Sequence, residues 1–331
     1  MLVRNKTPFV AAWTVLLDKT GAEQLIPCVR GTWSLSEDGQ LTLIEKDPPP
    51  LLVTAEYAGE PGLSSIIHEA DVGPFKPATD CALVGSAVAP QGRRATRVEV
   101  SFRVGPVSRR AIVTGECERQ FRFLRWSHSP PKPFRRVPLL WELAAGGADT
   151  SPEDEKNHSR DENNPYGRGF RARGSRLPGS GTLLPQITGA PEPAGFGLTG
   201  NEFKHRRPYA GTYDQAWQDQ RAPLLPDDFD ERFHCAAAPG LTTRRPLKGG
   251  ESVEVLGCTP GGRLAFTLPV LQPTVIADLG DGDEPIAMFL QTVTVNVDLM
   301  QLRMLWRGTL KIHGRLPRFQ RLNVKLAGPS G

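Results

Sequence analysis

Apolar and polar residues alternate with a period of two along both ends of the chain, and this pattern predicts β-strands. Ala11, Trp13, Val15 and Leu17 share one side of a first segment, and Asp18-Lys19-Thr20-Gly21 turns the chain. Residues 25–35 then place Val29, Trp33 and Leu35 together, and Asp38-Gly39 is a hairpin signal leading into 41–44. Pro48-Pro49-Pro50 ends regular structure there, because proline lacks the amide proton that a ladder needs.

Val98, Val100, Phe102 and Val104 repeat the alternation, Gly105-Pro106 turns, and 110–114 returns. Near the other end, 251–256 and 264–268 flank Thr259-Pro260-Gly261-Gly262. Phe289, Val293, Val295 and Val297 are expected on one face of a strand. The next strand is expected to align Leu302, Met304, Trp306, Leu310 and Ile312, with Arg303, Arg307 and Lys311 opposite.

Between about 127 and 230 the texture changes. Strand signals are sparse, no helical period persists, and prolines, glycines and charges dominate. A long irregular stretch of this kind is a functional surface, a covering loop or a mobile segment. Residues 151–164 are the candidate mobile loop, and 213–220 suit one short helical turn capped by Thr212 or Asp214. The expected fold is therefore mainly β. It has antiparallel sheets in a sandwich or barrel-like arrangement and little helix. Residues 1–331 form one β-rich domain whose strand-rich ends, 1–126 and 245–331, flank an irregular centre, 127–244.

Composition adds little against this. The chain has 331 residues, long enough for a large core without staples. Forty basic and 36 acidic residues leave a net charge of only +4, and the basic stretches at 93–97, 168–176 and 204–207 are interrupted; no nucleic-acid partner is expected. The five cysteines (28, 81, 117, 235, 258) form no CxxC pair, which suits a reducing compartment. The apolar run 9–17 is too short to span a bilayer and has no cleavage site, so the expectation is a cytoplasmic protein without membrane insertion.

Chemistry is hard to find. There is no GxSxG elbow and no phosphate-binding glycine loop. His68-Glu69 begins like a zincin motif, but Val72 stands where a second histidine is required, and the six histidines lack ligand spacing. The acids Asp278, Asp281, Asp283 and Glu284 are out of register with a calcium loop, so a hairpin loop is expected. Asp227, Asp228 and Asp230 are the one carboxylate group that suggests a hydrolase, although capping explains aspartates beside prolines equally well. No catalytic residue, metal ligand or cofactor is assigned.

Several segments, in order, resemble a family encoded beside the spike genes of bacterial type VI secretion systems. They are TPF at 7–9, SSIIHEADVGPFKPATDCALVGSAVAP at 64–90, PKPFRRVPLLWELAAGGAD at 131–149 and NPYGRGF at 164–170. AGTYDQAWQDQRAPLLPDDFDERFHCAAAP at 210–239 and LKGGESVEVLG at 247–257 complete the series. The chain departs from the family where GECERQFRFLRW replaces a Gly-Asp-Arg-x-Trp-like segment, and where ELAAGG lacks an arginine. The resemblance implies a non-catalytic adaptor or chaperone that binds an effector and loads it onto the VgrG/PAAR spike. Within these segments Asp71, Lys76 and Asp80 suit a salt-bridged corner, and Tyr213, Asp214 and Trp217 place two aromatics and an acid within one turn. These six are the candidate partner-binding residues. A turn brace for the first three, and loop packing or a sugar-stacking surface for the second, stand beside that reading.

Overall fold

The computed structural model describes residues 2–172 and 179–326, so part of the 168–176 basic stretch lies outside the described residues. Strands dominate, and the described residues include one α-helix, Gln215–Gln220. The main sheet has the order Val10–Leu17, Glu23–Leu35, Gln301–Arg307, Phe289–Asn296, Asp80–Val84, with Leu41–Leu43 and Leu310–Lys311 also paired to Glu23–Leu35. Its strands are antiparallel except that Asp80–Val84 runs parallel to Phe289–Asn296.

A second sheet runs Ile187–Thr188, Val107–Thr114, Arg97–Val104, Ser252–Leu256, Arg263–Thr267. A third runs Leu2–Asn5, Arg321–Leu326, Pro273–Asp278, Asp283–Ile286. Inward-facing residues of all three sheets belong to one apolar core that includes Val29, Trp33, Val100, Phe102, Val255, Val275, Trp306 and Val324. Among the described residues the sheets remain open, and no barrel closes. The Asp38-Gly39 turn forms as expected, with Leu41 opposite Leu35 and Gly39 at φ +87°, a conformation that costs glycine little.

Two expectations about the main sheet need correction. Phe289 does not share a face with Val293, Val295 and Val297: a bulge lies between Leu290 and Thr292, so Leu290 turns inward and Phe289 is exposed. Leu310 and Ile312 do not continue the strand of Trp306, which ends at Arg307, and the face of that strand that carries Arg303 and Arg307 is largely covered. Arg307 is only 1% exposed, and so is Arg30 on the neighbouring strand. The main sheet therefore has a dry apolar side and a second buried side that is ionic.

The centre of the chain is folded onto these sheets despite its lack of pattern. Trp141 is buried, packs edge-on against Phe203, and donates its indole N–H to the Leu198 carbonyl at 2.9 Å. Segment 151–164 holds a 3₁₀ turn, Glu155–Asn157, capped by Asp154, and a short pairing of Ser159–Arg160 with Ala148–Asp149. None of the helices among the described residues is long and apolar enough to cross a membrane.

Candidate functional site

The ionic side of the main sheet is covered by residues 49–80. Arg30 pairs with Asp71 and donates to the carbonyls of Pro49 and Pro50, while Arg307 donates to those of Ala70, Asp71 and Pro74. Lys76 lies between two carboxylates, Asp80 at 2.6 Å and Glu69 at 2.5 Å. Burial alone would push its ammonium down, but the two carboxylates outweigh that and hold the pKa above the ordinary lysine value. The bulge is tied to the same layer, since Gln291 accepts from the Lys76 amide and donates to the Lys76 carbonyl.

Asp80 is the junction with the centre of the chain. One of its oxygens accepts from Lys76 Nζ and from the Ala236 amide (2.7 Å), the other from Thr242 Oγ1 (2.8 Å). The structure thus brings Asp71, Lys76 and Asp80 into one corner, but Asp71 pairs with Arg30 and not with Lys76. All three are buried, so the expected direct contact with a partner becomes a supporting role.

Above this layer the segment 205–244 forms a cleft of about 470 Å³ lined by Pro77, Arg206, Tyr209, Arg232, Cys235 and Arg244, among others. Arg206 is 7% exposed. It donates to the Phe233 and Thr199 carbonyls and lies 5.0 Å from the Phe233 ring centroid. No carboxylate lies within ion-pair distance of it among the described residues, and burial weighs against its charge. Arg232 stacks over Tyr209 at 4.4 Å and pairs with Asp230 at 2.6 Å. The thiol of Cys235 is pushed up to about 12 by burial, which leaves it protonated at neutral pH.

Pro77 and Arg232 also line a neighbouring cleft that reaches Asp228, and Asp228 lines a third that contains Asp214, Trp217 and Arg221. The three clefts adjoin in one run, since the first and second share Pro77 and Arg232 and the second and third share Asp228. At its far end Asp214 caps the helix Gln215–Gln220 by accepting from the Trp217 amide at 2.8 Å, settling the choice between Thr212 and Asp214. Tyr213 is exposed and packs edge-on against Trp217, with ring centroids 4.7 Å apart. Trp217 is half-buried, and its indole N–H is held by the Leu224 carbonyl.

Asp227, Asp228 and Asp230 line the second and third clefts, each carboxylate already engaged. Asp227 pairs with Arg221 at 2.8 Å, Asp228 accepts from the amide and hydroxyl of Thr212, and Asp230 caps Glu231–His234 and pairs with Arg232. Those partners hold Asp228 and Asp230 below the ordinary carboxylate range, the opposite of what a general acid needs. Among the described residues no three His, Cys, Asp or Glu side chains are grouped to hold a metal ion.

Arg206, Tyr209, Arg232 and Arg244 were not singled out from the sequence. The one signal was the basic stretch at 204–207, whose Arg206 is buried and not a solvated charge. The model of a family described as an uncharacterized protein conserved in bacteria (DUF2169) matches residues 20–307. No curated protein and no solved structure matches the chain.

Proposed function

We propose that this chain, which belongs to the DUF2169 family of uncharacterized proteins conserved in bacteria, is a non-catalytic adaptor. It would hold a type VI secretion effector in the cytoplasm and help load it onto the VgrG/PAAR spike. The observation that carries the reading is this run of adjoining clefts. It joins a cleft containing the unpaired cation Arg206 to the exposed Tyr213 and the half-buried Trp217 against it, and it is fixed from below by the Asp80 junction. Arginine and aromatic side chains on a rigid support are the usual anchors of protein–protein contacts.

The reading predicts a stoichiometric complex with an effector encoded nearby, seen by size-exclusion chromatography after co-expression. It also predicts loss of that effector from the spike when this chain is deleted. A double change, Tyr213→Ser with Trp217→Ser, should weaken the complex without shifting the thermal midpoint by more than a degree or two. Recovery of neither effector nor spike protein with the wild-type chain would count against the whole reading. The cleft beside Trp217, with Asp214, Asp227 and Asp228 around it, supports a second reading as a carbohydrate-binding surface. Glycan binding lost in Trp217→Ala, with effector binding retained, would favour that alternative.

A further inference from the structure

Residues 119–128 form a hairpin, Arg119–Arg122 paired with Arg125–His128, that presents itself to solvent. Phe123 and Leu124 make its tip and are 97% and 89% exposed, and Phe121 and Trp126 behind them are also exposed. Three local rules are broken here. The two-residue turn requires φ above zero at both positions, where Asn-Gly is the ordinary choice, yet Phe123 and Leu124 adopt φ +50° and +60°. Arg122 and Arg125 face each other directly across the ladder, a repulsive pairing. The four large apolar side chains take no part in the core.

Within the hairpin, the Phe121–Trp126 ring contact and the Arg119–Trp126 stacking leave the Phe123–Leu124 tip and the Arg122–Arg125 pair uncompensated among the described residues. Among the described residues Arg119, Arg122 and Arg125 have no carboxylate at ion-pair distance, while Glu116 and Glu118 pair with Lys132. The base is nevertheless firmly placed: the Arg119 amide donates to the Thr182 carbonyl at 2.8 Å, and the Ser129 amide to that of Glu118. Violations of this kind that persist on a fixed base mark a surface whose missing contacts come from another molecule.

The geometry points to an acidic peptide segment, with apolar residues between its carboxylates, as the occupant of this hairpin. The register gives the two faces different chemistry. Phe121 lies opposite Trp126, with Arg119 stacked on the Trp126 ring at 4.3 Å, while Gln120, Ser127 and the Arg122–Arg125 pair take the other face. One apolar and one cationic wall fit a segment that carries both side-chain types better than they fit the uniform plane of a lipid surface. This inference rests on the adaptor reading for the identity of the partner, in that the segment would belong to the effector or the spike.

The test uses the full chain and a short fluorescein-labelled peptide rich in glutamate, leucine and phenylalanine, with a counterpart in which lysine replaces glutamate. Anisotropy should show about tenfold tighter binding of the acidic peptide, falling as salt rises. Arg122→Glu with Arg125→Glu should reverse that preference. Phe123→Ser with Leu124→Ser should weaken binding about tenfold while the circular dichroism melt stays put. Equal binding of the two peptides, or unchanged binding in both variants, would overturn the proposal. So would hairpin-dependent sedimentation with phosphatidylglycerol vesicles in the absence of peptide binding. A chain that binds the acidic peptide through the hairpin but forms no effector complex would refute the adaptor reading and leave this one standing.

Discussion

Asp80→Asn is the most informative single perturbation of this fold. The carboxylate is fully buried and receives three hydrogen bonds, from Lys76 Nζ, the Ala236 amide and Thr242 Oγ1. An asparagine of the same shape has one acceptor oxygen, so its amide group must face a donor, and Lys76 loses one of its two counter-charges. Removing one partner of a buried ion pair costs roughly 3–5 kcal/mol. Lys76 keeps Glu69, whose side chain is partly exposed, so the lower end, about 3 kcal/mol, is expected. For a chain longer than the usual domain each kcal/mol moves the melting midpoint by about 2 °C, giving a fall of about 6 °C. Circular dichroism melts and urea titrations would measure it, with Asp227→Asn as the control. That carboxylate is 83% exposed, and its loss should stay within about 0.5 kcal/mol. Lys76→Met combined with Asp80→Asn should cost less than the two single changes together, because each single change strands the other's group. Amide exchange should quicken across 235–243 in the Asp80 variant, since that segment hangs on the same carboxylate. An Asp80→Asn protein as stable as wild type, or one no worse than Asp227→Asn, would refute the assignment of Asp80 as the junction.

Three further outcomes are expected. Burial lowers the pKa of His68 to about 3 and those of His205 and His234 to about 4, so the folded chain keeps them neutral where the unfolded chain protonates them. Protons then favour unfolding between about pH 6.5 and 4. Stability should fall as pH drops through that window, by up to about 4 kcal/mol per pH unit for three sites; urea titrations flat from pH 7 to 5 would exclude it. Gly31→Ala should destabilise by about 1–3 kcal/mol, because a Cβ there would sit 2.8 Å from Trp33 Cζ3 and 2.9 Å from Phe9 Cε1; an unchanged melt would show that the rings can yield. A thiol reagent should label Cys117 first. Cys28, Cys81, Cys235 and Cys258 are buried, with thiols held protonated, and should react only on unfolding, as mass spectrometry of the labelled sites would show.

What the sequence made legible was local, and what it hid was long-range. Alternation located Val10–Leu17, Arg97–Val104 and Gln301–Arg307, and the short reach from Asp214 to the Trp217 amide made the helix cap readable. Phe289 was misplaced because a bulge leaves no mark in a hydrophobic pattern: Gln291 reads as an ordinary polar position, and its bond partner, Lys76, is 215 residues away. Arg303 and Arg307 alternate as solvent charges do. Only the fold reveals that carbonyls from 70–74 meet Arg307 and that Asp71 meets Arg30. The corner 71–80 was visible as a cluster, while its pairing was not, since Arg30 lies 41 residues upstream of its partner.

That pattern of success and failure bears on how the surface is built. Two of the segments most characteristic of the family resemblance, 64–90 and 210–239, are far apart in sequence, yet the Asp80 carboxylate and the Ala236 amide join them inside the molecule. A buried ionic layer contributes less stability than apolar residues of equal volume usually would, because desolvation offsets most of the attraction. It does join residues that are distant in sequence: Lys76 bridges Glu69 and Asp80, and Asp80 also holds the Ala236 amide and the Thr242 hydroxyl. The layer lies directly beneath the 205–244 segment, which holds short helical turns and no strand, and which meets the main sheet through a few backbone bonds such as the Asp80–Thr242 bridge. An irregular surface needs such a specifying support if Arg206, Tyr209 and Trp217 are to keep fixed positions. Disturbing Asp80 should therefore loosen the clefts before it unfolds the sheets, seen as faster amide exchange across 205–244 than in the strands of the main sheet.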